Sequence, residues 1–178
     1  MLKPGDSAPA FDLPCANNGR EGRLRLSQID SEWVVLFFYP HDFSFVCPTE
    51  VVAFNKSRDA FAAERASIVA ASVDDAATHV RWARELGGIG YPLLADAGGE
   101  LARAYGVFDE RQGLAMRATF ILDADRTIAY AVACPVNIGR SVSETLRVVR
   151  ALRSGRMCPA DWQPDSPLPP STDIAGRD

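Results

Sequence analysis

Hydrophobic positions along this chain change period from segment to segment, and each period predicts an element. Trp33-Val-Val-Leu-Phe-Phe-Tyr39 is an unbroken β-branched and aromatic run, the pattern of a strand buried on both faces. Val51, Phe54 and Phe61 recur at helical spacing with polar residues between them. That spacing predicts one helix over roughly 48–64 with a single buried face. Ser67 to Val73 reads as a second buried strand. His79, Trp82 and Leu86 then share one face of a helix that Gly87 and Gly88 stop. Residues 118–122 and 127–133 flank Asp123-Ala-Asp-Arg126, which is turn chemistry between two strands. Ser141-Val-Ser-Glu144 has the spacing of a capping box, and Val142, Leu146, Val149 and Leu152 form the apolar stripe of a last helix ended by Gly155. Pro159, Pro164, Pro167, Pro169 and Pro170 crowd residues 159–178, predicting an extended or mobile tail.

A β-α-β-α series followed by a hairpin and a final helix makes an α/β layered fold with a mixed central sheet flanked by helices, for which a thioredoxin-like arrangement is the natural candidate. Composition agrees: 178 residues, 47% hydrophobic and 24% charged, suit one globular domain. The expected division is a single domain over 1–158 and a proline-rich tail over 159–178. Met1 to Pro14 has no apolar core of a signal peptide, and Trp33–Tyr39, the longest apolar run, is too short for a bilayer. A soluble, cytoplasmic protein without a membrane partner is expected. A net charge of -4 gives no reason to expect nucleic acid. Arg147, Arg150, Arg153 and Arg156 read as a solvated helix face.

Cysteines stand at 15, 47, 134 and 158 with no C-x-x-C pair, and the histidines are His41 and His79 alone. That inventory suits neither a disulfide-stapled scaffold nor a metal cluster, and no cofactor is implied. Thiol redox or nucleophilic chemistry is what remains. Within YPHDFSFVCPTE, Tyr39 to Glu50, Cys47 falls at a strand-to-helix junction with Pro48 in the first helical turn. Free backbone N–H groups and the positive end of the helix dipole favour a thiolate there. A small buried apolar cysteine fits the same place, so position alone leaves both readings open.

The neighbours discriminate. Pro40, Ser44 and Cys47 form P-x-x-x-S-x-x-C, and FSFVCPTE resembles the peroxiredoxins, specifically their typical two-cysteine group, with serine in place of the usual threonine. SVDDAATHVRW, GGIGYPLLAD, Met116 to Ile121, NIGRSVSETL and Met157-Cys-Pro-Ala-Asp-Trp162 extend the resemblance over roughly residues 3–165. It implies that Cys47 is a nucleophile that becomes a sulfenic acid, with Arg117 stabilising the thiolate and orienting a peroxide substrate. Ser44 would donate to the peroxide oxygens, Pro40 would shield the loop, and Glu50 would hold the arginines with Arg140 joining that network. For Glu50 and Arg140 an exposed ion pair explains the residues as readily as a direct part in the site.

Cys158 is implied to resolve the sulfenic acid as a disulfide across a homodimer, after local unwinding of the first turn carrying Cys47 and of the segment carrying Cys158. Ring-shaped decamers are a common further assembly. A thioredoxin-like or flavoprotein disulfide reductant would recycle the enzyme. His41 reads as a solvated loop side chain, and Cys15 and Cys134 as structural or incidental thiols. A dithiol oxidoreductase would need cysteine where Glu50 stands. The alternative on the same scaffold is a redox-regulated holdase chaperone or thiol relay.

Overall fold

The apolar run Trp33–Phe38 forms β3 in the computed structural model, which describes residues 1–166. Its alternate side chains enter two separate cores: Val35 and Phe37 on one face, Val34, Leu36 and Phe38 on the other. β4, Ala66–Ser72, lies parallel to β3, with Val35 opposite Ile68 and Phe38 opposite Ala71. β5, Leu93–Ala95, runs parallel to β4. The hairpin read from the sequence appears as β8, Arg117–Leu122, and β9, Ile128–Cys134, with β8 antiparallel to β3.

A hairpin that was not expected, β1 (Asp12–Asn17) and β2 (Arg20–Arg25), extends the sheet by pairing β1 with β5. Its turn is Asn18-Gly19, at φ 49° and 73°, and Asn-Gly was the readable signal because such two-residue turns need positive φ at both positions. Among the described residues the sheet has order β2-β1-β5-β4-β3-β8-β9. Two short strands, β6 (Phe108–Asp109) and β7 (Leu114–Ala115), pair apart from it.

The single helix expected over 48–64 is two: α1, Cys47–Lys56, and α2, Arg58–Ala63. Ser57 breaks them at φ -92° and ψ 1°, and the restart still lets Phe54 and Phe61 pack with ring centroids 6.0 Å apart. α3, Ala76–Glu85, is capped by Asp75 accepting from the Thr78 amide. α4 is Glu100–Ala104. α5, Val142–Ser154, starts where the capping spacing placed it, with Ser141 accepting from the Glu144 amide at 3.2 Å. Only half of the expected box forms, because the Glu144 carboxylate turns to Arg147 instead. The buried stripe is also rotated: Val142, Thr145, Val148 and Val149 face inward, while Leu146 and Leu152 are half-buried.

Helices α1, α2, α3 and α5 cover the face holding Phe37, and α4 with the N-terminal segment covers the other. After Gly155, residues up to 166 form turns that bury Trp162. The remainder of the expected tail, 167–178, lies outside the described residues. No helix among the described residues is long and apolar enough to cross a membrane.

Candidate active site

Because β3 and β8 are antiparallel with Phe38 opposite Ala118, Arg117 stands beside the end of β3 from which the chain loops to Cys47. Cys47 is the first residue of α1, and Glu50 lies three residues on, on the same helix face. Two distant segments therefore meet at one point. Cys47 is 0% exposed, Glu50 2% and Arg117 3%.

Arg117 Nη1 donates to Cys47 Sγ at 3.3 Å and to Glu50 Oε2, while Nε donates to the Val136 carbonyl at 2.7 Å. Held by the Glu50 carboxylate and the Val136 carbonyl, the guanidinium presents fixed positive charge to the sulfur. Arg140 closes the network. Its amide and Nε donate to Glu50 Oε1 at 2.8 Å, and Nη2 reaches Oε2 at 2.9 Å. Its Nη1 donates to the Phe38 and Ala118 carbonyls, both at 2.8 Å, which ties the network to the β3–β8 ladder. Burial pushes the Glu50 carboxyl upward, but the hydrogen bonds and charges of Arg140, with the charge of Arg117, outweigh it and hold the carboxyl below its ordinary value. The exposed ion pair considered for Glu50 and Arg140 is thus ruled out. Both side chains are buried.

Pro40 is buried where β3 leaves the sheet. Ser44 Oγ accepts from the Cys47 amide at 3.2 Å, so the hydroxyl oxygen also fixes the backbone, a part beyond the donation to peroxide oxygens expected of it. Its own hydrogen stays available to another acceptor. Pro48 occupies the first turn as expected, and Thr49 Oγ1 donates to the Val46 carbonyl at 2.7 Å. His41 is half-buried with Nδ1 2.6 Å from the Asp42 carbonyl, not a freely solvated side chain.

Cys158 is not brought to Cys47 within the chain. It follows α5, half-buried, with Sγ 3.6 Å from Ser154 Oγ and from the Arg156 carbonyl. All four cysteines are free. Cys15 is buried in the second core, where burial pushes its thiol up. Cys134 ends β9 directly opposite Arg117.

The sequence reading missed a second buried cluster at the base of the loop. Tyr39, Asp42 and His79 hydrogen-bond to one another there, and Asp74 takes the Asp42 amide. The signal was available in Asp42, a carboxylate in an apolar stretch, but His79 explained itself as a helix-face residue. Carboxylate and imidazole atoms of Asp42, Asp74 and His79 lie within 4.8 Å of one another. Each residue already has hydrogen-bond partners at those atoms.

A thiol on the first turn of a helix, held against a buried arginine at the edge of a mixed α/β sheet, defines a thiol-based redox site on a thioredoxin-like fold. The chain belongs to the AhpC/TSA family, which matches it over residues 4–131. It is 41% identical over 167 residues to Peroxiredoxin 2 of Drosophila melanogaster, covering 88% of this chain and 86% of that protein. It is 42% identical over 170 residues to the mitochondrial thioredoxin-dependent peroxide reductase of Homo sapiens, covering 90% and 66% respectively. The reduced 2-Cys peroxiredoxin of Plasmodium vivax superposes with a TM-score of 0.85 at 32% identity, covering 93% of this chain and 92% of that one.

Proposed function

We propose that this chain is a peroxiredoxin, a thiol peroxidase that reduces hydrogen peroxide and organic hydroperoxides. The observation that carries the reading is the Arg117 donor 3.3 Å from a fully buried Cys47 sulfur. The Cys47 thiolate attacks one peroxide oxygen in line. The S–O bond forms as the O–O bond breaks, and the departing oxygen leaves as water or an alcohol once protonated. Charge develops on that oxygen, where fixed donors lower the barrier most. Arg117 supplies one such donor and the free Ser44 hydrogen another, while Pro40 keeps water from the loop. Glu50 and Arg140 act by fixing Arg117.

The sulfenic acid then condenses with a second thiol, forming a disulfide and water. Cys158 of a second copy is the proposed partner, since the two sulfurs do not meet within one chain. An apolar edge strand, β9, and exposed Phe43, Phe45, Val136, Ile138 and Met157 support a homodimer, with a decameric ring as a further assembly. A thioredoxin-like or flavoprotein reductant returns the disulfide to thiols. A reducing compartment, the cytoplasm, suits four free cysteines. A holdase or relay role would use the same scaffold without needing a guanidinium aimed at the sulfur.

Peroxide consumption by the wild type, Cys47→Ser and Cys158→Ser tests the reading. Expected are no turnover without Cys47, and one oxidation without recycling when Cys158 is lost. Full turnover by Cys47→Ser would overturn it.

A further inference from the structure

The loop from Pro40 to Val46 carries Ser44 and delivers Cys47, and it is not relaxed. Phe43 has φ 53°, a left-handed conformation that strains a bulky residue. Such a conformation persists only where anchors on both sides impose it. On the Cys47 side the anchor is Ser44, accepting from the Cys47 amide. On the other side it is Asp42, whose carboxylate is completely buried.

Two groups converge on the Asp42 carboxylate, and its own amide donates outward to Asp74. Tyr39 Oη donates to Oδ1 at 2.8 Å, His79 Nδ1 lies 2.8 Å from Oδ2, and the Asp42 amide donates to Asp74 Oδ2 at 2.7 Å. His79 is 0% exposed, and its Nε2 lies 3.1 Å from the Leu94 carbonyl. A carbonyl only accepts, so Nε2 carries a hydrogen. The 2.8 Å contact at Nδ1 then requires one further proton between imidazole and carboxylate. Imidazole thus joins β5, through Leu94, to the base of the loop. Trp82 stacks on Tyr39 at 5.8 Å and flanks Phe43 at 6.2 Å, so α3 clamps the same point from above.

We infer that His79 is a positioning residue: through Asp42 it latches the Pro40–Val46 loop in the strained, folded form that presents Cys47 to Arg117, and its release accompanies opening of the loop. The inference rests on the peroxidase reading for its consequence, since only the latched form reacts with peroxide while the opened form exposes Cys47 to a second thiol. The latch itself is independent of that chemistry.

His79→Gln, which moves the donor away from Asp42, is expected to speed hydrogen exchange of the 42–47 amides about tenfold. Exchange in β4 should stay unchanged. The same variant should slow single-turnover oxidation of Cys47 by peroxide without slowing disulfide formation. His79→Asn, which keeps a donor at the Nδ1 position, should restore the loop toward wild-type exchange. Tyr39→Phe, a smaller perturbation, provides a second folded variant and should raise loop exchange by about threefold. Unchanged loop exchange in His79→Gln and Tyr39→Phe, or a rise matched in every strand, would overturn the latch. A wild type that consumed no peroxide would remove the peroxidase reading and leave the exchange result standing.

Discussion

At Arg117 one side chain has three acceptors, Cys47 Sγ, Glu50 Oε2 and the Val136 carbonyl, and each constrains what the others can do. Lysine cannot reproduce a planar fork with donors in fixed directions. Arg117→Lys is therefore expected to lower the rate of Cys47 oxidation on the order of 10²-fold, by analogy with loss of one preorganised donor, as measured by stopped-flow single turnover. Glu50 carries the opposite burden. Removing it in Glu50→Ala leaves two buried guanidinium groups without their carboxylate, which costs about 3–5 kcal/mol of stability, measurable by urea unfolding. Its folded-state carboxyl is held down, so its contribution is complete above the ordinary glutamate value of about 4.3 and fades as pH falls through the lower folded value. The stability gap between wild type and Glu50→Gln should accordingly shrink on acidification from neutral pH to below that value, followed by circular dichroism. The identities of Cys47, Ser44 and Arg117 were readable as residues. Their pairing came only from the resemblance to a family, because a hydrogen bond between positions 47 and 117 leaves no local trace in either segment.

Elements were legible where period and punctuation agreed. β3 and β4 follow from unbroken apolar runs, and the start of α5 follows from Ser141. The break at Ser57 did not show, since Phe54 and Phe61 keep a helical spacing across it, and the β1–β2 hairpin was overlooked despite Asn18-Gly19. α5 bears directly on the site, because Arg140 immediately precedes its cap. Ser141→Ala removes the acceptor for the Glu144 amide and is expected to cost about 1 kcal/mol. For a chain of this length that lowers the thermal midpoint by about 2–4 °C, read by calorimetry. Fraying there should also loosen Arg140 from Glu50, so single-turnover oxidation of Cys47 should slow modestly in the same variant.

For the whole molecule, an apolar β9 edge and separate exposed large side chains, Phe45 at 95% among them, are features suited to contact with further copies. Sedimentation is expected to give a particle of at least twice the 19.3 kDa chain. After peroxide treatment, a non-reducing gel should show a covalent dimer that Cys47→Ser and Cys158→Ser each abolish. A monomeric disulfide would instead show that Cys158 closes on its own chain. Sequence by itself determined the central strands β3 and β4, the β8–β9 hairpin, the α3 and α5 helices, the helix start at Cys47 and the residue types that could serve a thiol, because period, caps and motif spacing are local. Tertiary structure alone decided that the network of Arg117, Glu50 and Arg140 is buried and that His79 reaches Asp42. Those contacts depend on antiparallel register between β3 and β8 and on the packing of α3 against the sheet, which no short stretch of chain encodes.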